Sequence, residues 1–142
     1  MLYGIGCDLC EVARMEKSLS GAHGPAFVRR VFGPAEQAAL GLGAEAEPWP
    51  AGLASAHKAA SAAADFAAKE AFLKAAGTGL AAPFSLCEIE AVRLPSGAPN
   101  YRFSGKTAEW VAAHHLTAKL SLSHDGGMAL AFCTLEQLPP ET

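Results

Sequence analysis

The longest helical pattern in the chain runs from Leu53 to Ala76. It is alanine-rich, with leucine, lysine and glutamate, all strong helix formers, and Gly77 stands where a helix C-cap belongs. On a helical wheel Phe66, Glu70, Leu73 and Gly77 share one face, so Glu70 is a carboxylate set in an apolar stripe. Burying an unpaired charge is expensive. Two readings stay open. One is a surface pair of Glu70 with Lys74 at i+4. The other is a carboxylate that binds a metal, beside Lys69, Lys74 and a glycine loop able to meet phosphate groups.

The flanking patterns are shorter. Leu2 to Cys7 is apolar and glycine-punctuated, which predicts a buried strand closed by Asp8. From Leu9 to Leu19 the period becomes helical, with Asp8 and Glu11 at capping-box spacing. Asp8 is thus either an N-cap or a metal-binding carboxylate at a strand end. Ser20 to Pro25 reads as a loop, and Ala35 to Leu42 as a short helix with Pro34 at its first position. Gly41 to Pro50 reads as a loop. Strand alternation begins near Leu86 and runs to Arg93, followed by a turn over 95–100 and a short strand from Tyr101 to Phe103. A helix over Lys106 to His115 and strands over Ala118 to Ser123 and Met128 to Leu135 complete the pattern, the last two joined by a turn over 124–127. An α+β fold follows, with a long helix packed on a small, largely antiparallel sheet.

Composition narrows the classes. A chain of 142 residues holds one domain, 1–142, and half of it is apolar. No apolar run reaches the ~20 residues of a membrane span. The start carries no basic segment and meets Asp8 early, unlike a signal peptide, so a cytoplasmic protein is expected. A net charge of −3 argues against general nucleic-acid binding. Within this acidic chain Arg14, Lys17, Arg29 and Arg30 form either a solvated face or a docking surface for an acidic partner. Cys7 and Cys10 have the spacing of a redox pair; a zinc site would need two more ligands, and Cys87 and Cys133 are isolated, so core cysteines in a reduced compartment are the plainer reading. Ser121, Ser123, His124 and Asp125 invite a hydrolase reading, yet no Gly-x-Ser-x-Gly elbow precedes either serine.

Three segments together resemble holo-acyl-carrier-protein synthases, the small bacterial 4′-phosphopantetheinyl transferases. They are Gly4-Ile5-Gly6-Cys7-Asp8-Leu9 with Arg14, then Phe66-Ala67-Ala68-Lys69-Glu70-Ala71 through Lys74 to Gly79, then Ser121-Leu122-Ser123-His124. Phe32 and Glu36 fit the family's Phe-x-x-x-Glu pattern between them. The resemblance implies a 4′-phosphopantetheinyl transferase-like fold and transfer of phosphopantetheine from coenzyme A to a serine of an acidic acyl carrier protein, of fatty-acid or polyketide type, releasing adenosine 3′,5′-bisphosphate. It implies Asp8 and Glu70 as ligands of a Mg²⁺ ion, with Lys74 and Lys69 assisting electrostatically. Gly77 and Gly79 would admit the nucleotide, and Ser123 and His124 would contact coenzyme A. Arg14 would meet the carrier, helped by Lys17, Arg29 and Arg30. The base that takes the serine proton stays open among Asp8, Glu70, Asp125 and a metal-bound water. The family's homotrimer, with sites at subunit interfaces, is also implied.

The chain departs from the pattern in places. Asp65 replaces a common arginine, Met128 stands where an aromatic is frequent, residues 43 to 64 look longer than usual, and Cys7 and Cys10 replace aliphatic residues. Two alternatives follow: a coenzyme A-binding module without catalysis, and a thiol redox protein using Cys7 and Cys10.

Overall fold

A computed structural model describes residues 1–43 and 52–139, with side chains of 52–54 left aside; part of the loop expected over 41–50 lies outside the described residues. The chain runs β1 (Leu2–Glu11), α1 (Val12–Ser20), α2 (Gly24–Val31), α3 (Pro34–Leu40) and α4 (Gly52–Ala76), then a short 3-10 turn over Leu86–Glu88. It continues with β2 (Ile89–Arg93), β3 (Pro99–Phe103), α5 (Gly105–Ala113), β4 (Leu116–Asp125) and β5 (Met128–Gln137). Among the described residues the strands form an antiparallel sheet ordered β1-β5-β4 and a separate β2-β3 hairpin. This is the α+β architecture expected, with the long helix at its centre.

Helix α4 is the spine. Ala59, Ala62, Ala63, Ala64, Ala67, Ala68 and Ala71 are fully buried, and apolar clusters pack along it on both sides. One cluster gathers Phe72, Phe84, Ile89, Tyr101 and Leu135; the other gathers Met15, Leu19, Val28, Val31 and Phe32. Alanine serves here because its methyl group lets other backbones come close. On β1, a Cβ added at Gly4 would lie 2.0 Å from the Ala75 carbonyl oxygen, and one at Gly6 would lie 2.0 Å from that of Ala71. Two strand residues rise ~6.6 Å and one helical turn of four rises ~6 Å, so strand and helix stay in step. The next inward position of β1 is Asp8, and the matching turn of α4 ends at Glu70.

Several boundaries differ from the pattern reading. Asp8 does not end the first strand; β1 continues to Glu11, and α1 starts at Val12 with no side-chain cap. The capping box of Asp8 and Glu11 is therefore absent, because pairing of Asp8 with Ala131 and of Glu11 with Met128 keeps both residues extended. Helix α2 occupies Gly24 and Pro25, which read as loop. Leu86 to Glu88 is a 3-10 turn rather than strand, and the Glu88 carboxylate there accepts the amide and hydroxyl of Thr107 at the start of α5. His124 and Asp125 belong to β4, and the tight turn is Gly126-Gly127 alone, with φ of 56° and 77°.

The packing of β1 on α4 gives a first prediction. Gly6→Ala forces its methyl into the Ala71 carbonyl and should cost at least ~1–3 kcal/mol, the usual range for overpacking. Urea unfolding measures this, and a midpoint equal to wild type would show that the strand can back away from the helix.

Candidate active site

Along β1 the inward residues are even-numbered, so Asp8 lies on the α4 side of the sheet with Gly4 and Gly6. Lys74 crosses to it: the ammonium donates to Asp8 Oδ1 at 3.0 Å and to the Cys7 carbonyl at 3.0 Å. The bond to Asp8 holds the Lys74 ammonium above the ordinary lysine range. Glu70 stands one turn before Lys74 and is half-buried. Burial pushes its carboxyl up, the Asp8 charge pushes it further, and Lys74 pulls it down. Asp8, Glu70 and Lys74 are thus brought together, although Asp8 and Glu70 are far apart in sequence.

A carboxyl raised by burial and by a neighbouring carboxylate's charge, as Glu70 is beside Asp8, marks a site for a cation. A lysine ammonium already bridges one of them. Among the described residues no group of three or more metal-ligating side chains exists. Mg²⁺ needs no such group, since it commonly takes one or two carboxylates and fills the remaining positions with phosphate oxygens and water. The donor set fits that ion and fits poorly any metal that requires a closed protein cage.

Immediately beyond Lys74 the helix stops. The Gly77 amide donates to the carbonyls of Leu73 and Lys74, and Gly77 and Gly79 both have positive φ, at 82° and 62°. A Cβ at either would meet nothing within 4 Å, so glycine is needed for backbone conformation and the loop surface stays open.

Other expected site residues lie elsewhere in the chain. Lys69 is fully buried and ion-paired with Glu36, and it also donates to the carbonyls of Leu86 (3.1 Å) and Ile89 (2.6 Å). It does not face Asp8, because adjacent helical residues point about 100° apart. His124 lies on the inward face of β4, its Nε2 3.2 Å from the Ala60 carbonyl. Ser123 and Asp125 lie on the outward face with Glu11, opposite to Asp8. From Ala60 to Gly77 is about 25 Å along α4, at ~1.5 Å per residue. His124 and the glycine loop therefore sit toward opposite ends of one helix.

Arg14, Lys17, Arg29 and Arg30 are all exposed, and none forms an ion pair among the described residues. Beside Arg30 an open hollow of about 370 Å³ is lined by Ser18, His23, Ala26, Phe27 and Arg30. Pattern reasoning missed Ser18, His23 and Phe27, since α2 was not foreseen to begin at Gly24. It also missed that Glu36, Lys69 and Glu90 meet in a buried polar junction, since the three residues lie far apart in the sequence.

The thiol pair does not survive the geometry. Cys7 is exposed on the outward face of β1 and Cys10 lies on the inward face, about 10 Å away along an extended strand. Burial, then the Asp8 charge, push the Cys10 thiol up to about 11, the reverse of a reactive thiolate. All four cysteines are free.

A family model described as the 4′-phosphopantetheinyl transferase superfamily matches residues 4–133. The chain is 40% identical over 147 residues to the holo-[acyl-carrier-protein] synthase of Methylobacterium sp. (strain 4-46), covering 100% of this chain and 99% of that one. Its structure is similar to that of the holo-[acyl-carrier-protein] synthase of Neisseria meningitidis, with a TM-score of 0.76 and 29% identity over 96% of this chain and 100% of the other. It is also similar to the synthase of Bacillus anthracis in complex with CoA (3′,5′-ADP), with a TM-score of 0.71 and 29% identity over 97% and 99% of the two chains.

The coupling of the two carboxylates is directly measurable. Asp8→Asn removes the charge that raises Glu70 and frees Lys74, so the Glu70 carboxyl should titrate at lower pH than in wild type. Carbon-13 NMR of the glutamate side chains reads this, and an unmoved Glu70 midpoint would separate the two residues.

Proposed function

The chain belongs to the 4′-phosphopantetheinyl transferase superfamily, as an enzyme of the holo-[acyl-carrier-protein] synthase type, and we propose that it moves 4′-phosphopantetheine from coenzyme A to a serine of an apo acyl carrier protein in the cytoplasm. The observation that carries the reading is the meeting of Asp8, Glu70 and Lys74 beside an open glycine loop.

The serine hydroxyl attacks the phosphorus that bears the pantetheine. A P–O bond forms to serine, the bond within the pyrophosphate breaks, and adenosine 3′,5′-bisphosphate leaves with the electron pair. Asp8 and Glu70 would hold Mg²⁺, which when bound neutralises charge on the pyrophosphate. Lys74, already fixed by Asp8 and the Cys7 carbonyl, presents a cation to the leaving phosphate. Backbone at Gly77 and Gly79 leaves room for the nucleotide, and Ser123 and His124 would meet phosphate groups of coenzyme A. Lys69 has spent its donors within the core, so we leave it out of the coenzyme A site. We assign the serine proton to Asp8 or Glu70, directly or through a bound water, because Asp125 lies on the opposite face of the sheet from Asp8.

The separation of His124 from the glycine loop supports a site shared between copies of the chain. The outward face of the β1-β5-β4 sheet supports the same idea: Ile5 is 56% exposed, Leu9 58% and Phe132 43%, a contiguous apolar surface of the kind that partners cover. We propose a homotrimer in which each 1–142 domain lends part of its neighbour's site. Arg14, Lys17, Arg29 and Arg30, with the hollow at His23 and Phe27, form the surface for the acidic carrier. No helix among the described residues is long and apolar enough to cross a membrane.

The test is incubation with coenzyme A, Mg²⁺ and an apo acyl carrier protein, reading the carrier's mass. A gain of one phosphopantetheine is expected. Coenzyme A binding without transfer, over several carriers, would favour the non-catalytic alternative that Asp65 and Met128 raise. Asp8→Asn and Glu70→Gln should each lower the rate by orders of magnitude, because a metal acts on charge developing in the transition state. A fully active Asp8→Asn protein would remove the metal assignment. Arg14→Glu should raise KM for the carrier, leave coenzyme A affinity nearly unchanged, and lessen the salt dependence of the reaction. An unchanged KM would take Arg14 out of the interface.

A further inference from the structure

Of the two carboxylates at the cleft, only Asp8 is held by a side chain. It accepts from the Lys74 ammonium at 3.0 Å. The Glu70 side chain makes no hydrogen bond or ion pair among the described residues. The rotation of α4 about its own axis therefore sets where that carboxylate points.

Lys69, the residue before it, is anchored from outside the helix. It is fully buried, and its three ammonium protons go to three acceptors. They are Glu36 Oε1 on α3, the Leu86 carbonyl in the 3-10 turn at 3.1 Å, and the Ile89 carbonyl at the start of β2 at 2.6 Å. The ammonium also lies 5.6 Å from the centre of the Phe32 ring.

The acceptors are fixed in turn. Glu36 Oε1 accepts from the Gly33 amide at 3.1 Å and Oε2 from the Ala91 amide at 3.0 Å. The Glu36 amide donates to Glu90 Oε2 at 2.9 Å, because the N-cap of α3 is Gly33 and has no side chain to offer. A Cβ at Gly33 would lie 2.4 Å from Glu90 Cδ and 2.6 Å from the Cys87 carbonyl oxygen, so glycine there admits the Glu90 carboxylate. Glu36 and Glu90 are each 1% exposed. A shift of Lys69 would strand a buried charge, so the junction resists displacement.

The opposite side of α4 is gripped as well, by Gly4 and Gly6 of β1 against Ala75 and Ala71. Ala71 lies about 200° around the helix from Lys69, and Glu70 lies between them, about 100° from each. We infer that Lys69 is a positioning residue for Glu70: the tripod that it forms with Glu36, Leu86 and Ile89 locks the rotation of α4, so that the next side chain points into the cleft beside Asp8. Apolar residues could fill this part of the core at no loss of stability, whereas directional contacts to fixed acceptors also set an angle. The inference rests on the transferase reading for what Glu70 does in the cleft, and on the contacts alone for why it points there.

The test replaces the ion pair as a pair, Lys69→Met with Glu36→Gln, which leaves no buried charge of the pair without its partner. Urea unfolding first shows that the protein is folded under assay conditions. Its kcat should fall about 100-fold, the cost of misplacing a reacting group by ~1 Å, while KM for coenzyme A and for the carrier changes less than ~2-fold. In a Glu70→Gln background the same pair of substitutions should cost less than ~3-fold, because its effect passes through Glu70. A merely structural role lowers kcat alike in both backgrounds, and that result overturns the inference. Crystal structures of wild type and variant, both free of metal and coenzyme A, give a second reading. The Glu70 carboxyl should move by ~1 Å or more relative to Asp8, and an unmoved carboxyl overturns the inference. Should the double variant not fold, Glu36→Asp takes its place in each measurement, since it keeps both charges and withdraws one acceptor by a methylene. A wild-type protein that transfers nothing to any carrier ends the transferase reading, and the crystal comparison still decides the role of Lys69.

Discussion

The contact on which the molecule depends is the approach of the β1 backbone to the α4 backbone. Gly4 and Gly6 sit against the carbonyls of Ala75 and Ala71 with no room for a methyl group. Close approach of two backbones requires small residues on both sides, glycine on the strand and alanine on the helix. Everything at the candidate site follows from that distance. Asp8 is the next inward residue after the two glycines, and it reaches Lys74 because the strand stands so near the helix. A wider gap, with ordinary side chains between, would hold the carboxylate away from Glu70 and Lys74.

The same helix separates two kinds of charge. Lys69 and Glu70 are neighbours in sequence, yet one is sealed in the core and the other is half-exposed beside Asp8. A helical step of about 100° suffices, since the boundary between core and cleft runs along α4. Lys69 is tolerated inside because Glu36 and two carbonyls satisfy its protons. That arrangement ties α3 and the β2-β3 hairpin to the helix that bears Glu70. The polar junction is thus structural, while the proposed chemistry belongs to the cleft one residue on.

Polarity on the two faces of the β1-β5-β4 sheet also divides the work. The inward face carries Asp8 and His124 among buried residues such as Ala131 and Cys133. The outward face carries Ile5, Leu9 and Phe132 toward solvent. An outer face this apolar is the kind of surface that a partner covers, which is the physical ground of the proposed homotrimer.

The sequence by itself determined the long helix, its glycine stop, the final hairpin and the α+β class, because each rests on local periodicity and turn chemistry. It also singled out Glu70 as a carboxylate in an apolar stripe, whereas grouping Asp8 and Lys74 with it came from the family resemblance. Tertiary structure decided what local rules leave degenerate. Asp8 looked like a cap because Glu11 follows at capping-box spacing, but pairing with β5 kept both extended. Cys7 and Cys10 looked like a pair until strand geometry put them on opposite faces. Lys69 looked like a phosphate ligand until Glu36, from a distant helix, claimed it. Spacing along a chain fixes which residues can share a face; which face is buried, and which charge finds its partner there, is set by contacts between segments far apart in the chain.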